Sequence, residues 1–595
     1  MQNAIAFANN DVITVAWSFG RMLDRCMGFA VYRIDPKGRA VPLPAVAVFP
    51  GFSRKPKDTC EKFPIQKFYW KDVYARLIAE TTGNRRFRYK IVPLEGTPGA
   101  LTAMPIPQVI SNEVEITSRI SASMRAYFNR GLISTQRISR AMKHDKVGLL
   151  AHVGKQDDPL RASLSGDMVE ALTDFVARAK TGGRLYAALY ELHDEELIAL
   201  LETSGKKAFI VLSNAMQDEL KPAKSAAGTT AKAKVDGNLD ARNRLTMTAG
   251  AIYNRLLPNN QIGHNKFVVY VNRTGKAEAV LFGSTNWTPT GLCAQTNNTV
   301  VLEHAGAARR YLSYWKALAA DTKQAGKDPT QLQGATIRTF DAKNKVIPLG
   351  ADGTLTSWYS PNTPKLRSSS TKGEKRPSDM AEVVAAIDAA QHAVLFLLFY
   401  PGSPNVAQWA AAAQARNKQL FVRGCVTNPS ASESFYYELH GTTPPKKVPG
   451  KKMPRREDPR VIAAQALSAA SAPPSWLKEM LKIGFAVVHD KVVVIDPFSP
   501  DSVVITGSHN LGHKASFNND ENLAIIRGNR PLAEAYASHV LDVYDHFAWR
   551  VTQNRAKAKG DGFLAVSPAE WQDKYFSADG SIRVAQLRFW LSALS

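Results

Sequence analysis

Two stretches of this chain read alike. The first is GHNKFVVYV (263–271) followed by LFGSTNWTPTGLCAQTNNTVVLE (281–303); the second is VHDKVVVID (488–496) followed by ITGSHNLGHKASFNNDENLAII (505–526). From Gly-Ser onward they align without a gap: Gly283 on Gly507, Ser284 on Ser508, Asn286 on Asn510, Asn298 on Asn522. Each opens on His-x-Lys, His264/Lys266 and His489/Lys491, before an apolar run of strand composition. Residues two apart on a strand point to the same face, so each histidine shares a face with its lysine. One His-x-Lys is an ordinary half-exposed strand. Two copies, each followed at nearly equal distance by Gly-Ser-x-Asn, are a specific signal. A duplicated structural sheet keeps its apolar residues but has no reason to keep His, Lys, Ser and Asn on one face.

The likeness extends upstream. GDMVEALTDFVARAK (166–180) reads as a helix, RLYAALYEL (184–192) as a buried strand, DEELIALLE (194–202) as a helix and KAFIVLSN (207–214) as a strand. The same order returns in SDMAEVVAAIDAAQ (378–391), AVLFLLFY (393–400), VAQWAAAAQ (406–414) and QLFVRGCVTN (419–428). A repeat of that length is too long for a solenoid unit and predicts a duplicated α/β domain. Two such domains face to face bring their equivalent segments together about a pseudo-twofold axis. The expected division is a small all-β sandwich over 1–115, a linker over 116–159, one repeat over 160–330, a second over 331–550 and a helical extension over 551–595. In the first block VITVAW (12–17), GFAVYRI (28–34) and FRYKIVPL (87–94) are short β-branched and aromatic runs between turn residues. With Trp17 on an early strand and Phe87 and Tyr89 on a late one, the block resembles a fibronectin type III domain, which implies a spacer or binding module.

The residue types point to phosphoryl chemistry. Two lysines, Lys266 and Lys491, and two asparagines, Asn286 and Asn510, offer donors to non-bridging phosphoryl oxygens. Two histidines offer a nucleophile and a general acid on opposite sides of phosphorus. The lysines supply the charge that Mg²⁺ supplies elsewhere, and the sequence lacks the carboxylate cluster of a two-metal site. Neither metal nor other cofactor is expected.

These residues resemble the phospholipase D superfamily, whose His-x-Lys-x4-Asp motif occurs twice. The second copy matches in full, with His489, Lys491 and Asp496; the first has Val271 at the aspartate position, which resembles the tyrosyl-DNA phosphodiesterase branch. The resemblance spans roughly 160–550. It implies a covalent phosphohistidine, no metal, a structural role for Asp496, and supporting roles for Ser284 and Ser508. It also implies that the position eleven residues after each motif asparagine bonds a histidine: Glu521 in one half, Asn297 in the other. A carboxylate partner raises the basicity of an imidazole, whereas an amide only orients it. By resemblance His264 is the nucleophile, backed by Glu521, and His489 the general acid and later base. Exchanged roles, or Asp520 in place of Glu521, are the alternatives.

The net charge is +24 and the pI about 9.7, which favours polyanionic partners: nucleic acid or an anionic lipid surface. Three basic stretches, 221–234, 365–376 and 444–457, have loop composition, and the first and last sit at equivalent places in the repeat. The four cysteines have no metal-ligand spacing. The N-terminal residues carry no signal-peptide pattern and no apolar run spans a membrane, so a cytoplasmic protein is expected, with signal-less export left open. One chain carries both motifs, so a monomer suffices for catalysis. The expected function is a nuclease, with a phospholipase D acting on membrane phospholipids as the alternative. A non-catalytic scaffold is disfavoured by two complete His/Lys/Asn sets. Trp287 suits base stacking and core packing equally; His513 and Lys514 lie in the second motif's loop.

Overall fold

The computed structural model describes residues 3–129, 131, 148–213, 216–220, 232–258, 260–367, 374–445, 455–464, 488–557, 564–577 and 581–594. The three basic stretches fall mostly outside the described residues.

Two large mixed sheets organise the chain. In spatial order the first contains Met124–Asn129, Asn297–Leu302, Ala277–Gly283, Lys266–Val271, Arg184–Leu189, Ala208–Ser213 and Ala251–Arg255. The second contains Val346–Pro348, Thr354–Ser360, Glu521–Arg527, Val503–Gly507, Val492–Ile495, Ala393–Leu398, Phe421–Val426 and Val461–Ala463. Apart from the added edge strand Val346–Pro348, the two orders correspond strand for strand. Central strands such as Lys266–Val271 and Ala393–Leu398 are buried on both faces, which is why they read as continuous apolar runs.

The inner faces of the two sheets share one core. Phe267, Val269 and Phe282 of the first meet Leu395, Val492 and Val494 of the second through Tyr311 and Tyr314 of helix Ala305–Ala325 and Tyr536 and Val540 of helix Arg530–Lys557. Each outer face has its own core, built on Met168 and Leu172 in one half and Met380 and Val383 in the other. Burying an aliphatic or aromatic side chain contributes about 1.5–3 kcal/mol, so the shared inner layer fixes the two halves rigidly.

Within 116–159, read from sequence as a linker, the described residues include a sheet strand, one short helix and the start of another. Met124–Asn129 runs antiparallel to Asn297–Leu302 and closes the first sheet. Its strand character was hidden because its partner lies about 170 residues downstream. Helices Leu149–Val153 and Pro159–Ser165 follow in the first half's outer core. The second half also reaches past 550, since its long helix runs to Lys557.

Residues 3–115 form a three-stranded sheet (Ala4–Ala8, Ile13–Trp17, Tyr69–Asp72), a second antiparallel sheet built on Gly28–Ile34 and Arg86–Thr97, and helix Ala75–Thr82. The two sheets share Trp17, Phe29, Phe87 and Tyr89 in one core. This block is not a free spacer. Lys71 Nζ bonds Asp542 Oδ1 at 2.6 Å and Tyr69 Oη donates to Asp545 at 2.7 Å, both on the long helix of the second half. The C-terminal helices Pro568–Phe576 and Ile582–Leu594 close the same core. Trp571 packs edge-on to Phe29 and donates its indole N–H to the Cys26 carbonyl at 2.8 Å, while Trp590 stacks on Tyr69.

Trp571 is fully buried. Trp571→Ala is therefore expected to cost about 3–5 kcal/mol, read as a lower urea midpoint for the phase that reports on the N-terminal sheets.

Candidate active site

Both His-x-Lys motifs enter their sheets at equivalent edges, and each is pinned by the other half. His264 N donates to Asp520 O at 2.9 Å, and His489 N donates to Thr296 O at 3.1 Å. Short parallel bridges, Gly263 with Asp520 and Thr296 with Val488, accompany these bonds. The two imidazole rings end up 6.3 Å apart between centroids, facing one cavity of about 480 Å³.

The second hydrogen bond of each ring also crosses between halves. His264 Nδ1 lies 3.0 Å from Glu521 Oε2 and 3.0 Å from the Ser508 carbonyl oxygen. Both partners only accept, so Nδ1 carries the proton and Nε2 keeps its lone pair. His489 Nδ1 lies 2.9 Å from Asn297 Oδ1. The motif serines hold the two acceptors: Ser508 Oγ donates to Glu521 Oε2 at 2.7 Å and Ser284 Oγ to Asn297 Oδ1 at 2.8 Å. Asp520 is not the histidine's partner; its carboxylate is buried against Arg255 and Gln333.

Each lysine ammonium bonds the carbonyl of its own motif histidine, Lys266 to His264 at 2.7 Å and Lys491 to His489. An aromatic ring floors each pair. Tyr190 lies 5.0 Å from the His264 ring with Lys266 Nζ over its face, and Phe399 lies 4.8 Å from the His489 ring with Lys491 over its face. Asn286 and Asn510 line the cavity, and the side-chain oxygen of each is buried without a partner among the described residues.

Burial dominates the electrostatics. It lowers His264 to about 4, against the opposing pull of Glu521, and lowers Lys266 to about 7. His489 and Lys491 are both pushed well below their usual ranges, by burial first and then by neighbouring cations. Burial alone would raise Glu521, but His264 and Lys266 hold it below the usual carboxylate range. Burial and mutual repulsion thus suppress the positive charge of the four motif side chains.

Asp496 stands apart. Its carboxylate accepts from the backbone N–H groups of Gln391, His392 and Ala393 at 2.7–2.8 Å, at the end of strand Ala393–Leu398 away from the histidines. In the first half the matching residue, Val271, pairs in the ladder with Arg184. Trp287 and Cys293 are buried in the first outer core, and Trp287 does not line the cavity. Lys514 does line it, whereas His513 is buried beside it.

Sequence reasoning missed four residues. Glu191 lines the cavity and accepts a hydrogen bond from Asn286 Nδ2. Asn129 accepts from the Asn297 backbone N–H at 2.6 Å, fixing the residue that holds His489. Asp490, between His489 and Lys491, accepts from Asn298 at 2.7 Å and pairs with His539 at 3.1 Å. Of these only Asp490 carried a local signal, as the residue inside the motif.

Residues 383–542 match the family model described as cardiolipin synthase, PLD-like domain. No curated protein matches the chain. Among solved structures, the phosphatidylserine synthase of Haemophilus influenzae Rd KW20 is 12% identical with a TM-score of 0.36, covering 71% of this chain and 91% of that one. Nuc of Salmonella typhimurium, a phospholipase D family member, is 18% identical with a TM-score of 0.21 over 32% of this chain and 94% of its own. Yeast tyrosyl-DNA phosphodiesterase is 10% identical with a TM-score of 0.30, covering 60% of this chain and 86% of its own.

The depressed histidine has a consequence for stability. An unfolded imidazole takes its proton near 6.5 and folded His264 only near 4, so between those values the unfolded chain binds more protons. Stability is therefore present above pH 6.5 and lost as pH falls through that window, by about 3 kcal/mol from His264 at 1.36 kcal/mol per unit. Urea midpoints at pH 8, 6 and 4 should fall in that order, and His264→Gln should flatten the decline.

Proposed function

We propose that this chain cleaves phosphodiesters through a covalent phosphohistidine on His264, with nucleic acid as the substrate. The observation that carries this reading is the pair of imidazoles centred 6.3 Å apart across one cavity, one backed by a carboxylate and the other by an amide. The Nε2 lone pair of His264 attacks phosphorus, and the bond to the leaving oxygen breaks. That oxygen takes a proton from His489 Nε2. Glu521 stabilises the positive imidazole that forms. In the second step water attacks phosphorus, passes its proton to His489, and the phosphorus–nitrogen bond breaks to restore His264.

The bound diester itself prepares the acid. Its negative charge, placed against Lys266, Lys491 and the two rings, opposes the burial and the neighbouring cations that lower His489. The lysine ammoniums and the amides of Asn286 and Asn510 then surround the non-bridging oxygens.

Nucleic acid is favoured by the +24 net charge and by the composition of the cavity's second wall, where Lys514 stands with Phe399 and a 53% exposed Tyr400. A cation beside an accessible aromatic face suits a phosphate backbone with a stacked base. The alternative substrate, a membrane phospholipid, draws on the description of the family model that matches residues 383–542.

The test is hydrolysis in EDTA. Single- and double-stranded DNA and RNA are offered in one series, phosphatidylcholine and phosphatidylglycerol vesicles in the other. The expected result is cleavage of nucleic acid, lost by about 10³-fold or more in His264→Ala. His489→Ala should slow turnover by about 10²–10⁴-fold and leave phosphorylated His264 trappable at alkaline pH. Headgroup release without nucleic-acid cleavage overturns the substrate assignment, and activity dependent on added metal overturns the mechanism.

A further inference from the structure

The two walls of the cavity are built on equivalent segments, yet they differ in charge at one place. Strand Arg184–Leu189 runs out into Tyr190 and Glu191; its counterpart Ala393–Leu398 runs out into Phe399 and Tyr400. Leu189 pairs with Lys266 and Leu397 with Val492, the residue after Lys491, so Tyr190 corresponds to Phe399 and Glu191 to Tyr400. The aromatic pair is kept as the floor under each histidine. The next residue is a carboxylate in one half and a phenol in the other.

Glu191 is firmly built in. Trp287 N donates to the Glu191 carbonyl at 3.1 Å, and His193 N and Asp194 N donate to the Trp287 carbonyl at 2.9 and 3.0 Å. This strap locks the Glu191 segment to the loop carrying Asn286, whose Nδ2 donates to Glu191 Oε2. Glu191 feels the charges of Lys266, His193 and Lys491, although burial outweighs them and raises its carboxyl. Among the described residues, no carboxylate bonds Asn510 in the second half.

We infer that Glu191 sets the charge the site accepts, admitting monoanionic phosphodiesters and rejecting dianionic phosphate and phosphomonoester ends. The inference rests on the reading of this cavity as a phosphodiester site and deepens it. A diester brings one negative charge, shared by two non-bridging oxygens, and the two lysines and Asn286/Asn510 meet them. Its remaining oxygens are esterified, so the one nearest Glu191 faces the carboxylate without charge. A monoester or inorganic phosphate puts a second negative charge on the phosphoryl group, beside a carboxylate held in place by Asn286, and like charges at close range repel. Glu191 also spends one amide hydrogen of Asn286 on itself, which leaves the other to aim at substrate. It is therefore a positioning residue for Asn286 as well as a filter.

The experiment is calorimetric binding at pH 8, where inorganic phosphate is a dianion, with dimethyl phosphate as the monoanionic diester. The wild type should prefer dimethyl phosphate. Glu191→Gln keeps an acceptor for Asn286 and loses the charge, so inorganic phosphate should bind roughly tenfold tighter relative to dimethyl phosphate. Glu191→Leu removes the acceptor too; it should gain the same tolerance of phosphate while losing diester affinity. An unchanged preference in Glu191→Gln, equal tightening of both ligands, or no phosphate binding by a variant that melts like the wild type overturns the inference. Binding is read without turnover. A wild type that hydrolyses no diester therefore counts against the proposed function, while the phosphate-to-diester ratio still decides the role of Glu191.

Discussion

Everything in the active-site region depends on each half supplying the hydrogen-bond acceptor for the other half's histidine. His264 leans on Glu521 and the Ser508 carbonyl; His489 leans on Asn297. A buried imidazole with an open Nδ1–H would carry the full penalty of an unmade hydrogen bond, about 1–3 kcal/mol. Neither half on its own can satisfy its motif. The reciprocal backbone bonds from His264 N and His489 N to the facing loops impose the same condition on the main chain. Hence the shared inner core between the sheets: the tyrosines of helix Ala305–Ala325 and the aromatic face of helix Arg530–Lys557 hold two surfaces at the spacing these cross-bonds require. The N-terminal sheets and C-terminal helices clamp the long helix from outside and extend that rigidity.

A symmetric frame alone would give two equivalent histidines, and in-line displacement needs two unlike ones. The structure breaks the equivalence with single substitutions at matched places. Glu521 answers Asn297, so one ring is backed by charge and the other by a dipole. Asp490 with His539 answers Asn265 with Tyr314, so the layer beneath the motifs is ionic on one side and neutral on the other. Glu191 answers Tyr400 on the cavity wall. All three exchanges place a carboxylate opposite a neutral group, which makes the two halves electrostatically unlike within one frame.

The sequence revealed these elements to the degree that their determinants were local. The two His-x-Lys strands, the Gly-Ser-x-Asn turns and the strand–helix order of each half announce themselves through period and repetition, and the structure brings His264, Asn286, His489 and Asn510 to one cavity, with Lys266, Lys491 and Glu521 bonded to the histidines. The strand Met124–Asn129 was unreadable because its partner is far along the chain, and a short amphipathic run between turns gives no hint of one. Asn129 was lost with it. Glu191 was passed over for a different reason: at the end of an apolar strand it reads as an ordinary solvated terminus, and only the strap to Trp287 turns it inward. Trp287 was balanced between stacking and core, and the strap settles that too by burying the indole behind Asn286.

The charge state of the buried motif side chains links stability to the proposed function. Two lysines and two histidines lie buried in one cluster, with Glu521, Glu191 and Asp490 as nearby carboxylates. Such a cluster stays folded only by shedding protons, which is why Lys266 falls to about 7 and the rings sit in their neutral forms. A neutral His264 is the form that can attack phosphorus, while a neutral His489 is the form that cannot yet protonate a leaving group. In the proposed reaction a bound phosphodiester would supply negative charge, favour the lysine ammoniums and raise His489 toward its acid form, while Glu521 holds the His264 Nδ1 proton. In the proposed mechanism, the burial that lowers these groups therefore ties readiness for catalysis to a bound anion.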